Sequence, residues 1–402
     1  MPPGGPIDVA APQIVAINPD SGSVGVKPKE VLFRFDEVVS ERPPSVTTLG
    51  DLFLISPRDG VPEASWHRDA IGVRPSHGWR ANTPYTVIMM RGLADLRGNV
   101  RKTGASTFFS TGPTVPRARI SGNVFDWVSG QPAPGALIES FVPPDSIHPY
   151  VALADSNGAF VIEHVPPAHY TVRAYLDRNK NLDIDPSEPW DSVSINLADS
   201  ARTDLVIFTH DTVPPRIREV RALDSLTLQV AFDKPVHPAQ TLTAANFAVI
   251  APDSSPVPIV SAGPPSKDTA AIANPRAGAN PAAGANPAAG ARPVAGAKPA
   301  TAANPTVGGR VGRAPPPGRR DTSFVAKPVM PRPVPINEAI IKLQHPLTPK
   351  LVYRVRAMGI RGLLGRTGDS ERRYAPPAPP PLVAPAAKPG AVPLPSPPPV
   401  RK

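Results

Sequence analysis

Six oxygen-bearing side chains recur at almost every second position between residues 177 and 188. They stand at positions one, three, five, seven, nine and twelve of this stretch and are Asp177, Asn179, Asn181, Asp183, Asp185 and Glu188. Calcium takes six to eight oxygen ligands around one point, and a tight loop that offers every second side chain can supply them without a helix or a sheet. The spacing therefore predicts a calcium-binding loop, with Ca²⁺ as a structural cofactor.

Position six of this stretch departs from the pattern of helix-flanked calcium loops. Those loops use Gly there because the backbone makes a left-handed turn, whereas this sequence has Leu182. Asn181 could take the left-handed conformation instead, since Asn tolerates it better than most residues. A solvated acidic turn between two strands is the alternative interpretation of the same residues.

Composition limits what the rest of the chain can be. The 402 residues are enough for about two to four domains, but 59 of them are Pro and only 5% are aromatic, so much of the chain cannot be packed core. The absence of Cys excludes a disulfide framework, thiolate catalysis and zinc-thiolate sites. No apolar run approaches the roughly 18 residues that a membrane span needs, so no transmembrane segment is predicted.

The net charge of +10 is unevenly distributed. Residues 1–262 contain 22 Lys and Arg against 28 Asp and Glu, whereas residues 263–402 contain 21 against 5. A basic, flexible segment attracts nucleic acid, anionic lipid or anionic glycans through unspecific Coulomb forces, but no aromatic residues are interleaved here to stack on bases. The pattern favours a solubilising linker and predicts no specific nucleic-acid partner.

Alternating apolar residues predict half-buried β-strands in the first hundred residues. The runs Val31–Phe35 and Tyr85–Met89 both have period two, which is typical of strands with one buried face. Turn clusters separate such runs at the spacing of a β-sandwich, and no amphipathic stretch is long enough for a substantial helix. Residues 12–112 are therefore predicted to form one all-β domain.

A second stretch contains a strong hairpin signal. Asn157-Gly158 stands between two apolar-rich runs, and Asn-Gly supplies the positive φ angles that a two-residue hairpin turn requires. The following run, Tyr170–Asp177, alternates again, so the oxygen-rich loop starts at the end of a strand. Residues 117–210 are predicted to form a second small β domain.

A third stretch echoes the first domain. The sequence Val230-Ala-Phe-Asp parallels Phe33-Arg-Phe-Asp, which indicates two copies of one module. In the second copy the opening strands end near Ile259, and the closing strands resume after about seventy residues. The predicted third domain therefore consists of residues 211–262 and 335–374.

The interruption is built from hexads that start at Ala271, Ala277, Ala283, Ala289 and Ala295 and carry Pro at the fifth position. Pro every sixth residue forbids a regular helix, and Ala and Gly bury too little surface to fold. Residues 263–334 are thus predicted to be a disordered insertion, which costs little stability because loop entropy grows only logarithmically. The Pro-rich tail, residues 375–402, is predicted to be a disordered spacer, with a proline-rich peptide ligand as the alternative.

Four stretches of the first domain carry a resemblance to a known family: Ala11-Pro-Gln-Ile, Asn82-Thr-Pro-Tyr-Thr-Val, Gly92-Leu-Ala-Asp-Leu-Arg-Gly-Asn and Phe108-Phe-Ser-Thr-Gly. They resemble the bacterial immunoglobulin-like domain of S-layer proteins and envelope lipoproteins. The opening Pro2-Pro-Gly-Gly-Pro-Ile-Asp looks like the segment that follows the acylated cysteine in such lipoproteins, although that cysteine and its leader do not precede it here. The resemblance implies the cell envelope, at the outer membrane or surface, with a lipid anchor if the true start lies upstream of Met1.

The middle domain carries a second resemblance, in Ile120-Ser-Gly-Asn-Val, Asp155-Ser-Asn-Gly-Ala-Phe and Val165-Pro-Pro-Ala-His-Tyr-Thr-Val. These stretches are similar to carboxypeptidase-regulatory-like domains, which have a transthyretin-like fold. That family usually has Gly at the position of Ala168. A loop like that from Asp177 to Glu188 recurs in such domains, so the resemblance favours a family feature over a chance pattern.

The sequence contains none of the common catalytic motifs, such as a nucleophile elbow, a zinc-binding His-Glu-x-x-His or a phosphate-binding glycine loop. His164 and His169 flank a Pro-Pro turn but have no metal-ligand spacing, which favours ordinary polar loop residues over a metal pair. Asp36-Glu37 and Asp233 recur at equivalent places in the two copies. Recurrence favours a structural role at strand ends over acid–base catalysis.

These patterns together predict an all-β, non-enzymatic envelope protein that spaces, displays or adheres, with an unidentified protein or glycan partner at the cell surface. The alternative is a glycan-binding or accessory module of a secreted enzyme system, which exposed Trp66, Trp79, Trp127 and Trp190 would favour and buried ones would not. The predicted architecture is two Ig-like β-sandwiches flanking a transthyretin-like β-sandwich, with a disordered insertion and a disordered tail. The predicted segments are residues 1–11 (extended N-terminal segment), 12–112 (first Ig-like domain), 117–210 (middle domain), 211–262 and 335–374 (second Ig-like domain), 263–334 (insertion) and 375–402 (tail).

Overall fold

Alternating apolar residues form strands throughout the part of the chain that the computed structural model describes, residues 8–265 and 328–377. These ranges contain 24 β-strands and two short 3-10 helices, Leu49–Leu52 and Ala244–Asn246, and no α-helix. The predicted all-β class is therefore confirmed. Within the same ranges, no helix has the length and apolarity needed to span a membrane. Most of the predicted insertion, tail and N-terminal segment lies outside the described residues.

The described residues divide into two compact units, one reaching to His210 and including residues 328–334, the other beginning at Asp211. The first domain of the first unit has strands β1 (Ile14–Asn18), β2 (Val31–Phe35), β3 (Phe53–Ser56), β4 (Glu63–Trp66), β5 (Ala70–Arg74), β6 (Pro84–Met89) and β7 (Ala105–Ser110). They form two sheets, ordered β1-β2-β5-β4 and β3-β6-β7. Residues 31, 33 and 35 of β2 are buried in the core that both sheets share, as the alternation predicts.

The middle domain of the first unit has strands β8 (Arg119–Asp126), β9 (Gln131–Pro132), β10 (Leu137–Phe141), β11 (Tyr150–Leu153), β12 (Ala159–Ile162), β13 (Ala168–Tyr175), β14 (Pro189–Leu197), β15 (Ser200–Arg202) and β16 (Leu205–Thr209). The sheet order is β11-β10-β13-β14-β16-β8-β12, with β9 and β15 beside β8. Its own apolar cluster includes Ile120, Ile138, Val172 and Leu205.

The expected hairpin around Asn157-Gly158 is wrong in its strand pairing. Gly158 has a positive φ of 74°, but Asn157 does not share it, so the two-residue turn that needs both is not formed. In addition, β11 pairs with β10 and β12 pairs with β8. The two strands occupy opposite ends of the sheet order. The glycine explains why the chain reverses direction between β11 and β12. Their burial against different neighbouring strands explains why the two strands do not pair with each other.

The second unit has strands β17 (Ile217–Ala222), β18 (Thr227–Val236), β19 (Phe247–Ile250), β20 (Pro256–Val257), β21 (Ile259–Gly263), β22 (Ile336–Leu343), β23 (Tyr353–Arg361) and β24 (Thr367–Tyr374). They form sheets ordered β17-β18-β22-β21 and β20-β19-β23-β24. Apart from the short β20, this is the strand order of the first domain, with β17 corresponding to β1 and β22 to β5. The identical topology supports the duplication that the sequence indicates.

Two side-chain hydrogen bonds to the backbone recur at corresponding positions of the first domain and the second unit. Asp36 Oδ1 accepts the N–H of Gln13 at 2.8 Å, and Asp233 Oδ1 accepts the N–H of Arg216 at 2.7 Å. Each Asp thus holds the first strand of its module beside the second, which is a structural role. In the second, a tyrosine hydroxyl accepts a hydrogen bond from the backbone N–H five residues upstream, at 2.7 Å for Tyr85 and 2.9 Å for Tyr353.

The two tyrosines provide a matched test of the duplication. We expect Tyr85→Phe and Tyr353→Phe each to cost about 1–3 kcal/mol, because the backbone N–H that the hydroxyl accepts is left without a partner in a partly buried site. Tyr150→Phe is the control, since the Tyr150 hydroxyl makes no hydrogen bond with the described residues. Urea unfolding of the full chain measures all three. Equal stability of the two variants and the control would contradict the correspondence.

Candidate metal centre

A long antiparallel strand pair holds the oxygen-rich loop at its tip. Strands β13 and β14 pair along eight positions, from Ala168 with Leu197 to Tyr175 with Trp190. The Leu176 N–H then donates to the Pro189 carbonyl at 3.1 Å, which fixes the two ends of the loop beside each other. The loop therefore starts from a rigid base, and its closure needs no helix.

Asp177, the first predicted ligand, organises the first half of the loop. Its carboxylate accepts the N–H of Asn181 at 3.2 Å and the N–H of Leu182 at 2.9 Å. The left-handed residues are Lys180, with φ of 60°, and Leu182, with φ of 63°. The expectation that Asn181 would replace the missing glycine is thus wrong, because Leu182 itself adopts the turn. Contacts of Leu182 with residues outside the loop offset the cost of placing a leucine there.

The middle of the loop brings two amides to one carboxylate oxygen. The side-chain amide nitrogens of Asn179 and Asn181 lie 2.6 and 3.3 Å from Asp185 Oδ2. An amide group can rotate to present its oxygen in place of its nitrogen. Oxygen ligands at 2.3–2.6 Å from a shared calcium ion lie about 3 Å from one another. The spacing of these three side chains therefore suits a common cation.

Glu188, the last predicted ligand, closes the loop from inside. Only 2% of the residue is exposed, and its carboxylate accepts the N–H of Arg178 at 2.7 Å and of Asp185 at 3.2 Å. Asp183 differs from the other five, because its hydrogen bond within the loop is made by its backbone, whose N–H donates to Asn181 Oδ1 at 2.9 Å. Five of the six predicted side chains thus share one hydrogen-bonded loop, and Asp183 joins it through its backbone.

The carbonyl of Leu182 ties the loop to the first domain. It accepts hydrogen bonds from Arg58 Nη1 at 2.7 Å and from the Tyr175 hydroxyl at 2.9 Å. Arg58 follows β3, and its Nη2 lies 2.7 Å from Oε1 of Glu139, whose side chain is fully buried. Arg173 pairs with the other oxygen of the same carboxylate. We call Arg58, Glu139, Arg173, Tyr175 and the Leu182 carbonyl the joint.

Apolar packing surrounds the joint. Leu54 of β3 shares a buried cluster with Leu137, Val151 and Tyr175 of the middle domain, and Leu182 packs against it. Burial raises the pKa of the Tyr175 hydroxyl, and the Glu139 carboxylate raises it further. Tyr175 therefore stays protonated, and its single hydroxyl hydrogen is shared between Glu139 Oε1 and the Leu182 carbonyl. The backbone also crosses the boundary, since the Arg58 N–H donates to the Pro149 carbonyl at 2.7 Å.

A second acidic group was missed at the level of sequence. Asp8, Glu37 and Asp95 each place one carboxylate oxygen within 4.8 Å of the others, the one such group of three found among the described residues. Burial raises the pKa of Glu37, followed by the charges of Asp8 and Asp95. Burial acts in the same direction on Asp95, but hydrogen bonds from Asn99 and from the Arg97 backbone outweigh it and hold its pKa below the usual range. No sequence pattern indicates that these three carboxylates lie close together, because their positions are far apart along the chain.

The two histidines beside the Pro-Pro turn have separate partners. His164 Nδ1 lies 3.1 Å from the Pro116 carbonyl, and its ring stacks on Phe108. His169 Nδ1 lies 2.7 Å from Asn196 Oδ1. The structure therefore gives each histidine a local polar role.

Comparison with known proteins places the first domain. Residues 8–111 match the family model described as a bacterial Ig-like domain. No curated protein matches the chain at a significant level.

Solved structures with similar pieces include a pilin subunit and an S-layer protein. The major pilin subunit BcpA of Bacillus cereus aligns at 8% identity over 49% of this chain and 70% of the pilin, with a TM-score of 0.18. The N-terminal part of the bacterial S-layer protein SbsC aligns at 14% identity over 50% of this chain and 44% of that fragment, with a TM-score of 0.20. TM-scores of this size support no conclusion about function.

Removing the arginine tests the joint. We expect Arg58→Ala to lower the free energy of unfolding by about 3 kcal/mol, because a fully buried carboxylate loses one of its charged partners. Arg58→Lys should recover only part of the loss, since a single ammonium cannot reproduce the fork that reaches both Glu139 and the Leu182 carbonyl.

The matched control is Arg74→Ala in the same domain. Arg74 pairs with Glu63 at 2.6 Å, but about half of each side chain is exposed, so its removal should cost at most about 1 kcal/mol. Urea unfolding of the full chain compares the three variants. A loss for Arg58→Ala no larger than that for Arg74→Ala would show that the joint does not stabilise the fold.

Proposed function

We propose that this chain is a non-enzymatic scaffold of the bacterial cell envelope that spaces or displays β-sandwich modules and takes part in adhesion. The observation that carries the proposal is the duplication of one sandwich topology, combined with the match of its first copy to a bacterial Ig-like family model. A repeated module adds length and contact surface, whereas catalysis needs one special site. The partner is a protein or glycan at the cell surface.

The use of buried polar groups supports a scaffold. The Glu139 carboxylate forms ion pairs with two arginines and accepts a hydrogen bond from a tyrosine hydroxyl. Asp95 accepts hydrogen bonds from Asn99 and from the Arg97 backbone. Each of these carboxylates has partners that hold chain segments together, and neither is left poised toward a cleft as an acid or base.

We propose further that the loop from Asp177 to Glu188 binds Ca²⁺. The left-handed turns at Lys180 and Leu182 wrap the backbone, and the side chains at positions one, three, five, nine and twelve already take part in hydrogen bonds within the loop. Position seven supplies a backbone carbonyl in helix-flanked calcium loops, so Asp183 would act through its main chain. The ion would be structural: it would neutralise the gathered carboxylates and stiffen the loop.

The family of the middle domain and the anchoring of the chain belong to the same proposal. The stretches Ile120–Val124 and Val165–Val172 support a carboxypeptidase-regulatory-like, transthyretin-like domain, because the first lies in β8 and the second leads into β13 of one β-sheet domain with a continuous core. A lipid anchor at the outer membrane fits the resemblance of the opening residues to envelope lipoproteins.

The tryptophans disfavour the glycan-binding alternative. Trp79 packs against Tyr85 and Phe109 in the core of the first domain, and Trp127 is only 6% exposed. Trp190 is half-buried beside His210. Trp66 alone among the four is more than a third exposed, and its indole N–H donates to the Val39 carbonyl. A flat aromatic platform for sugar stacking would need several exposed rings.

Calcium titration tests the metal proposal. The full chain, first freed of divalent ions with a chelator, should show one saturable heat of binding with CaCl₂. Asp177→Asn and Glu188→Gln should each weaken binding about tenfold or more, because each removes a charged ligand while keeping the side chain's size and an acceptor oxygen.

The control for the calcium titration is Glu37→Gln in the second acidic group, which should leave the binding heat unchanged. Loss of binding in Glu37→Gln with retention in Asp177→Asn would move the ion to Asp8, Glu37 and Asp95. Heat equal to that of dilution in the unaltered chain would remove calcium from the proposal.

Cell fractionation tests the envelope assignment. In the organism that encodes the chain, an antibody against it should detect the protein in the envelope fraction, and protease added to intact cells should degrade it if it is displayed at the surface. A cytoplasmic enzyme serves as the fractionation control. Recovery with that enzyme in the soluble cell contents would contradict the proposed location.

A further inference from the structure

A short proline-containing segment lies on the surface of the middle domain. Residues 328–334, which we call the strap, precede β22 and have no regular secondary structure. Their sequence is Pro-Val-Met-Pro-Arg-Pro-Val. Although far away along the chain, they contact the turn that joins β8 to β9. This contact lies within the first compact unit.

Trp127 receives the strap through two different interactions. Its indole N–H donates to the backbone carbonyl of Pro333 at 2.8 Å, and the guanidinium carbon of Arg332 lies 5.6 Å from the centre of its ring. The first contact recognises an extended backbone, and the second is a cation–π attraction that selects a positive side chain. Phe208 packs edge-on against the same indole at 5.1 Å and holds it in place.

Two further groups add selectivity. Asp191 Oδ2 lies 4.0 Å from Arg332 Nη2, and the Val206 N–H fixes that oxygen by donating to it at 2.9 Å. Gly130 leaves room for the valine: a methyl group added there would lie 2.6 Å from Val334 Cγ2. Gly130 also has a φ of 67°, which disfavours any larger residue. The middle domain thus offers a hydrogen-bond donor, an anionic corner and a gap for a small apolar side chain.

The Trp127 side of this contact is buried and the strap is exposed, as in a receptor and its ligand. Trp127 is 6% exposed and Asp191 is largely covered, whereas Val334 is 47% exposed and all residues from Pro331 to Val334 are exposed. The strap therefore contributes little to a core. Its prolines restrict the free chain, so less conformational entropy is lost when it docks, which is the principle by which aromatic surfaces bind proline-rich peptides.

We propose that the Trp127 surface, formed by Trp127, Asp191 and Gly130, is a recognition site for an extended peptide with the sequence Arg-Pro-Val. In this chain its ligand is the strap. A peptide of the same chemistry supplied in trans competes for the same surface. This inference is independent of calcium binding and of the envelope location.

The indole N–H signals of the four tryptophans allow a direct test in the full chain labelled with ¹⁵N-tryptophan. Trp127→Phe identifies the signal of Trp127. In the double variant Arg332→Glu, Val334→Asp, the new glutamate lies beside Asp191, which repels it. The new aspartate puts a charge into the small apolar gap at Gly130. We expect the Trp127 signal to move and the other three to stay.

A synthetic peptide of residues 329–335 is then added to the double variant. It should return the Trp127 signal toward its original position in a saturable way. The unaltered chain should need at least about ten times more peptide for a comparable response, because its own strap competes at an effective concentration in the millimolar range. The same peptide with Glu for Arg and Asp for Val should have no effect.

The matched control is Arg218→Glu, Val260→Asp, which makes the same changes at exposed positions of the second unit and should leave the Trp127 signal unmoved. The proposal is overturned if the Trp127 signal is unaffected by the strap variant. It is also overturned if the peptide does not restore the signal, or if the altered peptide restores it equally well.

Discussion

One buried carboxylate constrains much of the first compact unit. Glu139 has no exposed side-chain surface, and a charge in that position is tolerable only with full ionic and hydrogen-bonded compensation. The middle domain supplies Arg173 and Tyr175, and the first domain supplies Arg58. Because one guanidinium comes from the other domain, the ion pair can form only when the two domains are docked. The same guanidinium donates to the Leu182 carbonyl, so docking also fixes the tip of the oxygen-rich loop.

This dependence explains how the loop works without its glycine. A leucine in the left-handed region costs about 1–2 kcal/mol, and a free acidic turn would avoid that cost. Here Leu182 is held from both sides, since its carbonyl has two donors and its side chain packs on the buried cluster around Leu54. The conformation that glycine provides elsewhere by its freedom is provided in this chain by tertiary contacts. Calcium, as we propose it, would bind to a loop that is already shaped.

The two copies of the sandwich show which features survive duplication and which are free to change. Both keep the strand order, the Asp that pairs the first two strands and the tyrosine hydroxyl that caps an upstream turn. They differ in the connection between adjacent strands: β4 and β5 are joined by three residues, whereas more than seventy residues separate β21 from β22. Insertion there leaves the ladder between the flanking strands intact, because loop closure costs little extra entropy as the loop lengthens.

The sequence alone determined what depends on neighbours along the chain: the period-two strands, the duplicated module, the turn at Gly158 and the loop whose oxygen-bearing side chains recur at almost every second position. It could not determine contacts between distant residues. The partners of β11 and β12, the meeting of Asp8 with Glu37 and Asp95, and the docking of the strap on Trp127 each join positions far apart in the chain. Leu182 shows the same limit within a motif, because its left-handed backbone is stabilised by Arg58, 124 residues away. Local patterns record backbone preference and burial, whereas pairing depends on which surfaces the folded chain brings into contact.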